Sequence, residues 1–139
     1  MSERHIPWKP WIPALAYMAL IWVLSSLPTI ASLEQVPFKD KGVHFVEYGT
    51  LAVLLCYAIR GTWPLRSLWF TAFYGFVGTV LWGMLDEIHQ AYVPGRSSDP
   101  MDVLADTIGA ALATTLSIVV LQMRNRRRGL ASSTQASES

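Results

Sequence analysis

Four stretches of the chain are apolar almost throughout, without the regular interleaving of polar positions that a soluble helix or strand shows. They run over Trp11–Leu27 (WIPALAYMALIWVLSSL), about Val43–Ile59, Leu68–Leu85 and about Val103–Met123. The third block carries no charge, and the fourth carries only Asp106. Runs of about 18 or more apolar residues read as membrane-crossing helices, since about 20 residues at 1.5 Å rise span a hydrocarbon core about 30 Å thick. The pattern predicts an all-α fold: a small polytopic membrane bundle of about four transmembrane helices joined by short loops. Pro13 falls in the first turn of the first block, where a helix tolerates proline, and Pro28 ends that block. The same block, with Arg4 and Lys9 before it and a TIAS motif after it, also has the outline of a signal peptide. Its length favours a span, because h-regions are usually about 7–15 residues.

Composition sharpens this picture. The 139 residues are 52% hydrophobic and 15% charged, against about 25% charged in soluble domains. With the N-terminus inside, the cytoplasmic segments hold Arg4, Lys9, Arg60, Arg66, Arg124, Arg126, Arg127 and Arg128. The outer segments hold only Lys39, Lys41 and Arg96. This asymmetry predicts a multi-pass cell-membrane protein with both termini cytoplasmic. It divides the chain into a transmembrane domain over residues 1–123 and a basic tail over 124–139, expected to be disordered, whose arginines suit anionic headgroups. The topology explains the basic tail, and no nucleic-acid motif or nucleic-acid partner is expected. Cys56 is the one cysteine, so no intrachain disulfide forms.

The same topology gathers most of the remaining charges on the outer side. Asp40, Lys41, His44 and Glu47 open the second helix. Asp86, Glu87, His89 and Gln90 close the third, Arg96 lies in the following loop, and Asp99, Asp102 and Asp106 open the fourth. Residues three, four and seven apart share a helix face. That spacing aligns Asp40 with His44 and Glu47, Asp86 with Gln90, and Asp99 with Asp102 and Asp106. Gly75, Thr79 and Gly83 continue one stripe, and Gly109, Ala113 and Ser117 another, which predicts close contact between the third and fourth helices. His44, Glu47 and Asp106 fall within or at the edge of the hydrocarbon. A charge at the bilayer centre costs at least about 2.5–3.5 kcal/mol, so such groups are expected to be paired, protonated or facing water. A plainer account stands beside this one. Charges at helix ends mark the interface, Asp99 and Asp102 serve as an N-cap and a first-turn acid, and Lys39 and Glu87 are solvated neighbours of headgroups.

At DKGVHFVEYGTLA and DEIHQAYVPGRSSDPMDVLADTIGAALA the chain resembles the VanZ-like family of bacterial membrane proteins, over Asp40 to about Ala113. The family's motif residues match Asp40, Lys41, His44, Asp86, Glu87, Gln90, Arg96, Asp102 and Gly109. The chain departs at Asp106, where the family more usually has asparagine, and at Ala113, where glycine is common. The family takes its name from a protein linked to low-level teicoplanin resistance. The resemblance therefore implies a link to the cell envelope and to glycopeptide tolerance more firmly than it implies a reaction.

Three functions compete. In the first, an outer-face polar site binds lipid-linked envelope material through Asp40, Lys41, His44, Glu47, Asp86, Glu87, Gln90, Arg96, Asp102 and Asp106. Arg96, after a Val-Pro-Gly turn, would present its guanidinium to a phosphate. The expected partners are membrane lipids, a lipid-linked envelope precursor or a glycopeptide, and a second copy of the chain. In the second, the protein is a membrane enzyme, with His44, Glu47, Asp86, His89, Asp102 and Asp106 as cation ligands or as acid and base. No HExxH or other recognised metal signature is present. The preferred expectation is thus a salt-bridge network among Asp86, Arg96, Lys41 and Asp102, with no metal, no cofactor and no assigned catalytic residue. In the third, Asp106 and Glu47 serve a proton-coupled carrier.

Overall fold

The computed structural model describes residues 7–27 and 39–137, without the side chains of residues 39, 40, 131–134, 136 and 137. The TIAS motif and the side chains of Lys39 and Asp40 lie outside the described residues. A single 3-10 turn, Lys9–Trp11, leads into α1 (Ile12–Ser25). Then follow α2 (Lys39–Thr62), α3 (Leu68–Gln90) and α4 (Pro100–Ser137), and the fold is all-α over the described residues.

Local chemistry sets the helix boundaries. Ser67 caps α3 by accepting the Phe70 backbone N–H at 3.1 Å, which satisfies one of the orphan donors of the first turn. Asp99 does the same for α4, its Oδ1 accepting the Met101 N–H at 2.8 Å, and Pro100 occupies the first helical position, where its missing N–H costs nothing. Between α3 and α4 the chain turns at Gly95, whose φ of 81° is open to glycine with no steric penalty.

Three helices are long and apolar enough to cross a membrane, over Lys41–Thr62, Leu68–Gln90 and Pro100–Leu130. The expected first span is shorter: α1 has 14 residues. With the 3-10 turn before it, it is about 27 Å long, near the lower limit for a bilayer core. The helix α4 also runs on to Ser137, through the tail whose composition suggested disorder. Extending an existing helix needs no new nucleus, and arginine, leucine, alanine and glutamine are all favourable helix formers.

The bundle is arranged around α2. Its Tyr48, Leu51, Ala52, Leu55, Cys56, Ala58 and Ile59 are buried, with Ala14 and Ile21 of α1 and Ala110 of α4. Large apolar side chains such as Leu15, Val46, Phe73 and Leu116 face outward, as hydrocarbon surroundings allow. The small-residue stripes meet α2, which corrects the expectation that they face each other. A Cβ on Gly109 would lie 2.3 Å from the Phe45 carbonyl oxygen, and one on Gly75 2.7 Å from Cys56 Sγ. Gly83 sits where α2, α3 and α4 converge, its Cβ position 2.7 Å from Asp106 Oδ2 and 3.2 Å from Tyr48 Cε1. The reason is that α2 has a small face of its own. Gly49, Ala52 and Cys56 follow three- and four-residue spacing, so two neighbours can approach it closely.

Helix α1 runs alongside α2. At its start Trp11 Nε1 donates to Thr62 Oγ1 at 2.8 Å, and its ring meets Trp63 edge-on at 6.3 Å. Its far end reaches the loop before α4, where the polar residues collect.

Candidate functional site

The beginning of α2, the end of α3 and the beginning of α4 meet at one end of the bundle, and their polar side chains turn inward. Lys41 on α2 reaches two acids of the α4 terminus, Asp99 Oδ2 at 2.6 Å and Asp102 Oδ1 at 3.0 Å. Asp102 is buried, and Asp99 is exposed at the rim. The neighbouring ammonium holds the Asp99 carboxyl below its ordinary range. Both acids also lie where the α4 N-terminal dipole favours negative charge.

One turn deeper, His44 Nδ1 is 3.1 Å from Asp106 Oδ1. Its other ring nitrogen, Nε2, is 4.0 Å from Glu87 Oε1, too far for a hydrogen bond. The second oxygen of Glu87 accepts the Asp99 backbone N–H at 2.9 Å, which fixes the end of α3 to the cap of α4. Beside it, Asp86 Oδ2 accepts from Gln90 Nε2 at 2.8 Å, and Gln90 Oε1 in turn meets Arg96 Nη1 at 3.4 Å. The remainder of the Arg96 guanidinium is occupied: Nε donates to Leu27 O and Nη2 to Leu24 O, each at 3.0 Å. These carbonyls belong to the end of α1, so Arg96 closes a helix terminus that otherwise lacks acceptor partners.

The structure thus brings Lys41, His44, Glu87, Asp102 and Asp106 into one cluster, with Asp86 and Gln90 adjacent. The expected ion pair of Arg96 with Asp86 is replaced by a relay through Gln90, because the α1 carbonyls draw the guanidinium away. Glu47 does not join the cluster. It is half-buried and lines a separate groove with Tyr17, Val43 and Val46. His89 also turns elsewhere, contacting Ser26 Oγ at 2.8 Å and stacking on Trp22 at 4.0 Å, so it fastens α3 to α1. Glu87, read from the sequence also as a solvated neighbour, is only 4% exposed. Its four-residue separation from Gly83 is the signal that places it on the inner face. Tyr48 was not expected in the site. It is fully buried, with its ring nearly parallel to that of His44 at 6.0 Å between centroids.

Electrostatics makes the arrangement costly. Asp86, Glu87, Asp102 and Asp106 are all buried, and among the described residues Lys41 is the one amino or guanidinium group that contacts any of them directly. Tyr48 OH, Asp86 Oδ1, Glu87 Oε1 and Asp106 Oδ2 are buried without a hydrogen-bond partner. A buried acceptor left unmade costs about 1–3 kcal/mol, and more when charged. The cluster therefore has spare acceptor capacity and an excess of negative charge, both of which favour a donor or a cation arriving from outside.

A family model described as VanZ/LLP1 matches residues 8–121 of the chain. No curated protein and no solved structure matches it.

Proposed function

The chain belongs to the VanZ/LLP1 family, and from that premise we propose that it is a multi-pass protein of the bacterial inner membrane that binds the polar headgroup of lipid-linked cell-envelope material and supports tolerance of glycopeptides such as teicoplanin. The observation that carries the reading is the burial of four carboxylates and a histidine at one end of three apolar helices, where a lipid headgroup would lie. Groups that merely marked the interface would be solvated. The unpartnered atoms are mainly acceptors, while Lys41 and Arg96 are already engaged. The preferred ligand is accordingly a headgroup rich in hydroxyl or ammonium donors, such as a sugar–peptide unit, and not a bare phosphate held by Arg96. Arg60, Arg66 and the Arg124–Arg128 run support assigning the opposite end to the cytoplasm. In that orientation the polar site faces out, α1 with its 3-10 turn supplies a fourth crossing, and both termini are cytoplasmic.

Asp86→Asn and Tyr48→Phe test the reading, since the tyrosine hydroxyl makes no hydrogen bond in the protein. Both variants should reach normal membrane yield and melt near wild type, but lose teicoplanin tolerance and binding of a lipid-linked envelope precursor in nanodiscs. Well-folded, fully active variants would refute the site. Reporter fusions after Thr62, Ser98 and the C-terminus should read inside, outside and inside.

The His44–Asp106 hydrogen bond supports a second reading, a membrane enzyme in which Asp106 orients His44 as a general base. In that case His44→Gln would abolish turnover of the lipid-linked precursor while leaving its binding intact.

A further inference from the structure

We propose that His44, Glu87 and Asp102 form a binding site for a divalent transition-metal cation such as Zn²⁺ or Mn²⁺, with Asp106 positioning the histidine. One ligand atom from each of the three lies within 4.8 Å of the other two, and all three residues are buried. They come from three different helices, so the site exists only in the assembled bundle.

A cluster of acids alone would mean little. The distinguishing feature is the pair of atoms left over when every hydrogen bond is assigned. His44 uses Nδ1 toward Asp106 at 3.1 Å, and Glu87 uses one oxygen for the Asp99 N–H. His44 Nε2 and Glu87 Oε1 then face each other at 4.0 Å, and that carboxylate oxygen is buried without a partner. The separation is too long for a hydrogen bond. It suits a bridging ion. Bonds of about 2.0–2.2 Å to histidine nitrogen and carboxylate oxygen put two ligand atoms between about 3.4 Å and 4.2 Å apart, depending on the angle at the metal.

The rest of the geometry agrees. A metal-bound histidine commonly donates its other N–H to a carboxylate, which fixes the tautomer and leaves the facing nitrogen free to bind. Asp106 stands in that position. Asp102 gives Oδ1 to Lys41, and among the described residues its second oxygen has no hydrogen bond. One nitrogen with two carboxylates is a donor set for a first-row divalent metal rather than for Ca²⁺ or Mg²⁺, which take oxygen ligands. Two positive charges would also offset the carboxylates that Lys41 leaves unmatched. The half-exposed rim of Lys41 and Asp99 provides a route in from the water side. This inference stands apart from the headgroup reading, since an ion could bind whether or not a lipid does.

The test uses full-length protein in detergent, stripped with a chelator and titrated with ZnCl₂, MnCl₂ and, for its visible d–d absorption, CoCl₂. Wild type should take up one ion per chain with a rise in melting temperature. Glu87→Gln and His44→Gln should abolish uptake and the Co²⁺ bands. Asp106→Asn should weaken binding about 10–100-fold, as loss of an orienting group does. Glu47→Gln and His89→Gln, outside the cluster, should bind like wild type. Melting each variant in chelator separates loss of the ligand from loss of the fold, and Asp102→Asn replaces any variant that does not fold. Absence of stoichiometric uptake by folded wild type overturns the proposal and leaves His44 as an imidazolium between two acids. Uptake that survives in folded Glu87→Gln and His44→Gln also overturns it and moves the ion elsewhere.

Discussion

Adding one methyl group at Gly109 should uncouple packing from helix propensity in a way few other substitutions here can. In isolation Gly→Ala in a helix is favourable by about 1 kcal/mol. In this bundle the new Cβ would stand 2.3 Å from the Phe45 carbonyl oxygen, 3.1 Å from its carbon and 3.2 Å from its Cα. All three are backbone atoms, so no rotamer change relieves the contact, and α2 and α4 must separate by roughly 1 Å to reach ordinary van der Waals distance. Overpacking of this kind costs about 1–3 kcal/mol. The movement also stretches His44–Asp106 from 3.1 Å and Lys41–Asp102 from 3.0 Å, two contacts that join the same helices. Losing a hydrogen bond costs about 0.5–1.5 kcal/mol. After the propensity gain is subtracted, the net loss for Gly109→Ala is about 1–4 kcal/mol, a fall on the order of 10 °C in a detergent melt followed by circular dichroism. Gly42→Ala is the control: nothing lies within 4 Å of its Cβ position, so it should melt at or slightly above wild type. A Gly109→Ala protein that melts as high as wild type would refute the close α2–α4 contact and the reasoning built on it.

Two further outcomes follow from the same contacts. The Lys41 ammonium lowers the Asp99 pKa, so the carboxylate's stabilisation is fully present above its unfolded value of about 3.9 and is lost as pH falls through the lower folded value; the gap in melting temperature between wild type and Asp99→Asn, which keeps a competent cap, should stay constant from neutral pH to about 4 and close below it. Ser67→Ala removes the acceptor for the Phe70 N–H and should cost about 0.5–2 kcal/mol in equilibrium unfolding, with no effect on the distant polar site.

Much of this architecture can be read along the chain, because apolar blocks and helix-end charges are one-dimensional patterns. The last three blocks coincide with α2, α3 and α4, and the spacing of Asp102 with Asp106 and of Asp86 with Gln90 identifies inward faces correctly. What fails is partner choice. A stripe such as Gly109–Ala113 announces a close approach but does not say to which helix, and the Gly49–Ala52–Cys56 face that answers the question is weaker than a glycine repeat. Arg96 shows the same limit: its sequence neighbours suggest a carboxylate partner, whereas its acceptors are the carbonyls of Leu24 and Leu27. Backbone acceptors leave no trace in composition. Glu47 appeared to belong with His44 from spacing alone, yet a three-residue step leaves about 60° between side chains, enough for it to turn toward Tyr17.

The hold of Arg96 on α1 also has a consequence for the order in which the protein is built. Its two acceptors precede it by 69 and 72 residues, so when α1 leaves the ribosome the group that will finish its outer end has not been synthesised. Until the α3–α4 hairpin is in place, those carbonyls depend on water or headgroups, and a helix of 14 residues has little length to spare for fraying. The first segment made is therefore the last to be secured. Its capture by Arg96 and His89 marks the completion of assembly, and a chain interrupted before α4 would leave α1 loosely held in the bilayer.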